Sequence, residues 1–138
     1  MNGTKLLRIR SIRKIERMGL LREIKFRAWD GERLRDVWSL GWIDGEMDYI
    51  STPKHNGPAE EFKLMQYTGL KDKNGREIYE SDIVASVKYG KGYEVVYYSQ
   101  GFWLRWIAEG GKSPLWWESE DIEVIGNIYE NPELLQKS

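Results

Sequence analysis

Apolar and polar positions alternate with period two through residues 22 to 30. This predicts a half-buried strand with Ile24, Phe26 and Ala28 on one face. The same pattern predicts four later strands, Asp82 to Tyr89, Tyr93 to Ser99, Phe102 to Ala108 and Ile122 to Tyr129. Gly90-Lys91-Gly92 and Gln100-Gly101 separate the first three at hairpin spacing. At mid-chain two β-prone runs, Leu64 to Leu70 and Ile78 to Val84, flank a polar tip carrying Asn74-Gly75, a dipeptide suited to a tight reversal. Asp30-Gly31 and Asp44-Gly45 mark earlier turns, with strand residues at Val37 to Leu40 and Met47 to Ile50. Residues 51 to 62 hold Pro53, His55, Asn56, Gly57 and Pro58 without periodicity and read as the long loop. A wide link, Glu109 to Asp121, contains a candidate short strand Leu115-Trp116-Trp117. Asn131 before Pro132 predicts a capped terminal helix.

Apolar residues spaced by three from Leu6 through Ile15 predict a short basic helix ending near Gly19. Charge separates this segment from the rest. Residues 1–19 hold six basic side chains against Glu16 alone, and the remaining residues hold 15 basic against 21 acidic. The compositional break beside Met18 marks residues 1–17 as an extension of the domain that follows. The acidic body lacks the general attraction for nucleic acid that the basic arm could supply. The 138 residues fit one domain, and the absence of cysteine excludes disulfides and thiolate chemistry. No apolar run approaches the roughly 20 residues of a membrane span. A cytoplasmic protein is expected.

The expected fold is mainly β. It has an N-terminal meander over residues 22–70, a small, partly open, SH3-like barrel over 78–130 and a short C-terminal helix. A single domain covers 20–138, preceded by a basic helical or disordered extension over 1–19.

Three segments carry a family resemblance: Arg22 to Asp30, Leu64 to Val84, and Glu123 to Leu135 with its Gly126-Asn127 and Asn131-Pro132. Together they resemble the YopX-like family of phage and prophage proteins. The resemblance implies a largely β protein with a barrel-like C-terminal half and a phage or prophage origin. It supplies no catalytic residue. Where the family commonly has Gly before Asp82, this chain has Ser81, which bears on the strand entrance because Gly adopts positive φ without strain.

Candidate chemistry is sparse. His55 is the single histidine, which excludes a two-histidine metal site within one chain. With Glu60 or Glu61 nearby it reads as an exposed loop imidazole before it reads as a general base. Asp44-Gly45-Glu46-Met47-Asp48 spaces oxygen ligands like a calcium loop. It has Tyr49 where that loop needs glycine and His55 where it needs a bidentate acid. Gly90-Lys91-Gly92 precedes a strand instead of a helix, so it is a turn and not a phosphate cradle. Glu118, Glu120 and Asp121 form a carboxylate cluster without a partner motif. Neither a metal, a cofactor nor an enzymatic activity is expected.

The seven Trp, eight Tyr and three Phe carry more information. Period two sets Phe102, Leu104 and Trp106 on one face of their strand and Trp103, Arg105 and Ile107 on the other. Tyr98, Trp103, Arg105, Trp116 and Trp117 are therefore the candidate binding residues. The expected function is a noncatalytic module that binds a protein partner or itself, a homo-oligomer included. The alternative is a single-stranded nucleic-acid binder using the aromatic face and the basic arm.

Overall fold

A computed structural model of the chain describes residues 23–88, 90, 92–115 and 121–136. The predicted N-terminal helix, Trp116, Trp117, Glu118 and Glu120 lie outside the described residues. The structure is mainly β, with twelve strands and two short 3₁₀ turns among those residues. The strands are β1 Phe26–Trp29, β2 Leu34–Asp36, β3 Ser39–Ile43, β4 Glu46–Ser51, β5 Asn56–Pro58, β6 Lys63–Lys71, β7 Glu77–Tyr79, β8 Asp82–Ser86, β9 Gly92–Tyr98, β10 Gly101–Trp106, β11 Lys112–Pro114 and β12 Ile122–Asn127.

The N-terminal half forms two antiparallel sheets, β2-β1-β6-β7 and β3-β4-β5. β6 returns across more than thirty residues to pair with β1, setting Phe26 opposite Gln66 and Trp29 opposite Lys63. The C-terminal half is one antiparallel sheet in the order β11-β10-β9-β8-β12. Its outer strands do not pair with each other, so this barrel-like half stays open. Val84, Tyr93, Val95, Leu104, Ile122 and Val124 point inward from that sheet and form the larger core, each at most 5% exposed. A smaller core of Ala28, Ile50 and Phe62 lies in the N-terminal half. Each fully buried Val, Leu or Ile side chain of these cores contributes about 1.5–3 kcal/mol of burial free energy.

The central stretch forms the expected hairpin of β6 and β7, with Gly75 at φ +81°. Asp72 organises its tip. One carboxylate oxygen accepts the N–H groups of Asn74 and Arg76, each at 2.9 Å, and the other accepts the N–H of Val124 in β12 at 2.8 Å. Burial works against this charge, but the three N–H donors outweigh it and hold the Asp72 carboxyl below its ordinary value. The tip is thereby fastened to the outer edge of the C-terminal sheet. Ser81, at the entrance to β8, keeps the left-handed backbone that glycine favours, with φ +70°.

Three elements differ from expectation. Residues 51–62 contain β5 and the 3₁₀ turn Ala59–Glu61, and side chains fix the reversal between β4 and β5. Asn56 Oδ1 accepts the Thr52 N–H, and Thr52 Oγ1 accepts the His55 N–H while donating to the His55 carbonyl. Among the described residues the wide link holds β11, which pairs Lys112, Ser113 and Pro114 with Arg105, Leu104 and Trp103 of β10; Leu115 lies beyond it, and Trp116 and Trp117 of the expected strand lie outside the described residues. The C-terminal helix is a single 3₁₀ turn, Pro132–Leu135, without a side-chain cap. Asn131 turns back instead, and its Oδ1 accepts the Asn127 N–H at 3.2 Å. Gly126 makes this possible, since a Cβ there would collide with the Asn131 amide.

Candidate interaction face

β9, β10 and β11 lie side by side, and their register decides which side chains meet. Trp103 sits opposite Val96 and Pro114, and Arg105 opposite Glu94 and Lys112. Because opposed residues project from the same face, Leu104 and its neighbours fill the core while Trp103, Arg105, Tyr98 and Lys112 stand on the outer face. Three of the five sequence-derived candidates are thus brought together. Trp116 and Trp117 lie outside the described residues.

On this face the Tyr98 and Trp103 rings meet edge to face, with centroids 6.3 Å apart. Lys112 Nζ of β11 stands 4.5 Å from the ring centre of Tyr98 in β9, across the intervening β10, a cation–π contact that Pro and Gly spacing alone does not reveal. Tyr98 remains 53% exposed and Trp103 half-buried. Arg105 forms an ion pair with Glu94, so its charge is matched locally. The face therefore offers a rigid aromatic pair with one lysine beside it and a neutralised ion pair at its end. Around the β9–β10 tip, Tyr97 packs edge-on against Phe102 with centroids 5.4 Å apart. This pair lines a shallow cleft of about 300 Å³ with Gln66, Glu80, Gln100 and Gly101. The tip residues Ser99 and Gln100 adopt φ +45° and +69°.

The single histidine corrects its sequence reading. His55 is no free loop imidazole: Nδ1 lies 3.3 Å from Asp30 Oδ2, Nε2 lies 3.3 Å from Glu61 Oε2, and the ring packs on Phe62 at 4.8 Å. Asp30 also accepts the N–H groups of Glu32 and Arg33 at 2.8 Å and Arg35 Nε at 2.9 Å. The Arg33 N–H and the Arg35 guanidinium, against the opposing effect of burial, hold the Asp30 carboxyl well below the usual carboxylate range. Gly57 leaves the room that Glu61 occupies, since a Cβ would come within 2.7 Å of its carboxylate. The cluster clasps the 51–62 segment to the β1–β2 turn. Among the described residues, the ring nitrogens of His55 meet carboxylates and no hydroxyl.

Asp82, read in the sequence only as part of a family segment and a strand entrance, is the most buried charged residue among those described. Arg27 Nη2 donates to its Oδ1 at 2.6 Å and the Tyr79 N–H to its Oδ2 at 2.8 Å. Burial pushes the Asp82 carboxyl up, against the pull of Arg27. The Arg27 guanidinium lies 4.5 Å from the Tyr79 ring centre, and burial with the nearby Glu77 charge pushes the Tyr79 phenol up to about 12. This pair joins β1 to β8 and is structural. The Asp44-Gly45 sequence is a hairpin tip with φ +51° and +83°, and no cluster of three or more metal-ligating side chains occurs among the described residues. No helix among those residues is long and apolar enough to cross a membrane.

The profile of the YopX protein family matches residues 25–136. The chain belongs to the YopX family. Protein EF1440 from Enterococcus faecalis, a crystal structure, is similar at 29% identity with a TM-score of 0.63, covering 84% of this chain and all of that one. Protein yopX from Bacillus subtilis shares the fold at 23% identity with a TM-score of 0.57, covering 86% of this chain and 99% of that one. No curated protein matches the chain. The YopX segments singled out in the sequence coincide with the Asp72-centred tip, the β1 strand and the Gly126–Asn131 reversal, all of which hold the fold together.

Proposed function

We propose that this YopX-family protein is a noncatalytic interaction module that engages a protein partner through the outer face of β9–β11. The observation that carries this reading is the pairing of Tyr98 with Trp103 on an exposed, strand-held surface. Rigid aromatics at the centre of a patch supply contact area at little entropic cost, which is the chemistry of interface anchors. His55 and Asp82, two polar groups with the chemistry for acid–base work, are occupied by structural partners. A single-stranded nucleic acid would also stack on Tyr98 and Trp103 beside Lys112. Against it stand the matched charge of Arg105 and the acidic excess after residue 19.

The test uses the full chain as bait in a lysate of its source organism, beside Trp103→Ala and Tyr98→Ala variants whose thermal midpoints match the wild type. A partner retained by the wild type and lost by both variants supports the proposal. Equal capture by all three overturns it. Anisotropy with a labelled single strand at low salt decides the competing chemistry, since binding lost on Trp103→Ala would assign the face to nucleic acid.

A further inference from the structure

Sheet edges present unpaired backbone groups, and proteins usually blunt them with charge, proline, short length or cover. The described edges of this fold follow that rule with one exception. β2 carries Arg35 and Asp36, and β7 is three residues long with Glu77. β11 carries Lys112 and Pro114, and β5 is three residues ending in Pro58. β12 is covered, because Lys73 N–H donates to its Ile122 carbonyl and Asp72 accepts its Val124 N–H.

β3 differs. Ser39-Leu40-Gly41-Trp42-Ile43 has five residues, no charge and no proline, and among the described residues pairs with β4 alone. Trp38, just before it, is 71% exposed, and Trp42 and Ile43 within it are 55% and 60% exposed. Leu40 and Trp42 face the core side, opposite Ile50 and Met47, yet the Trp42 ring is left largely uncovered.

We infer that β3 is the seam of a symmetric dimer, pairing antiparallel with β3 of a second copy about a two-fold axis at Gly41. The sequence of the strand selects a copy of itself. That axis sets Gly41 against Gly41, Ser39 against Ile43 and Leu40 against Trp42, so each indole covers the other copy's leucine on the core side. Aromatic–aliphatic cross-strand pairs of this kind stabilise sheets, and the uncharged strand meets its copy without like charges opposed. The two three-stranded sheets become one of six strands. This seam is separate from the β9–β11 face, so either proposal can fail alone.

Sedimentation equilibrium of the full chain is expected to give twice 16.3 kDa. Trp42→Glu, with its thermal midpoint checked, should weaken the dimer at least about tenfold by burying an unpaired charge. The cysteine-free chain permits a second reading of the register. Ser39→Cys with Ile43→Cys should cross-link two chains on oxidation. Within one strand these positions lie about 13 Å apart, beyond disulfide reach. A monomer at all concentrations, or a dimer that ignores Trp42→Glu and never cross-links, overturns the inference.

Discussion

At the residue scale, two positions hold conformations or charges that their neighbours enforce. Ser81 keeps φ +70° because its N–H donates to the Val95 carbonyl and its own carbonyl accepts the Ile128 N–H. A β-branched side chain there is expected to cost about 1–3 kcal/mol, whereas Ser81→Gly should leave stability within about 1 kcal/mol of wild type; urea denaturation of both checks this. Asp30 provides a pH signature. Its folded-state carboxyl lies below the ordinary value, so its stabilisation is complete above the normal carboxylate range and is lost as pH falls below about 4. Asp30→Asn should lower the urea midpoint at pH 7 and shrink the difference between pH 7 and pH 3. An unchanged difference would show that the carboxylate is not held by Arg33 and Arg35.

At the element scale, the buried Arg27–Asp82 pair joins the two halves of the fold. Arg27→Met leaves Asp82 charged and unpaired in the interior and should cost about 3–5 kcal/mol. Adding Asp82→Asn, which keeps an acceptor for the Tyr79 N–H, should recover part of that loss in urea melts. Most strands were legible in the sequence because period two is local: β8 and β12 fall inside the predicted spans, and β9 and β10 begin one residue before theirs, at Gly92 and Gly101. Pairing was not legible, since nothing in residues 22 to 30 announces that β1 will meet β6. The 51–62 segment looked like a loop for the same reason. Its order comes from Asp30, 25 residues before His55, and from a glycine whose missing Cβ makes room for Glu61. Asn131 carried a cap signature, but the open space over Gly126 drew its side chain backwards.

At the scale of the whole molecule, the family segments account for architecture, and the proposed recognition face is built from the strands between them in the chain. Trp103 and Arg105 could be placed on one face by counting alternate residues, whereas Tyr98 and Lys112 join them only through the β9–β10 and β10–β11 registers, which are set by pairing and not by local pattern. The proposed recognition through that face makes a quantitative demand on binding energy. The central claim is tested most directly by calorimetric titration of the captured, purified partner into the wild-type chain and into Trp103→Ala. An interface anchor predicts a loss of at least about 2 kcal/mol, roughly a thirtyfold rise in Kd, with unchanged thermal stability of the variant. A Kd altered less than about twofold by Trp103→Ala would contradict the account.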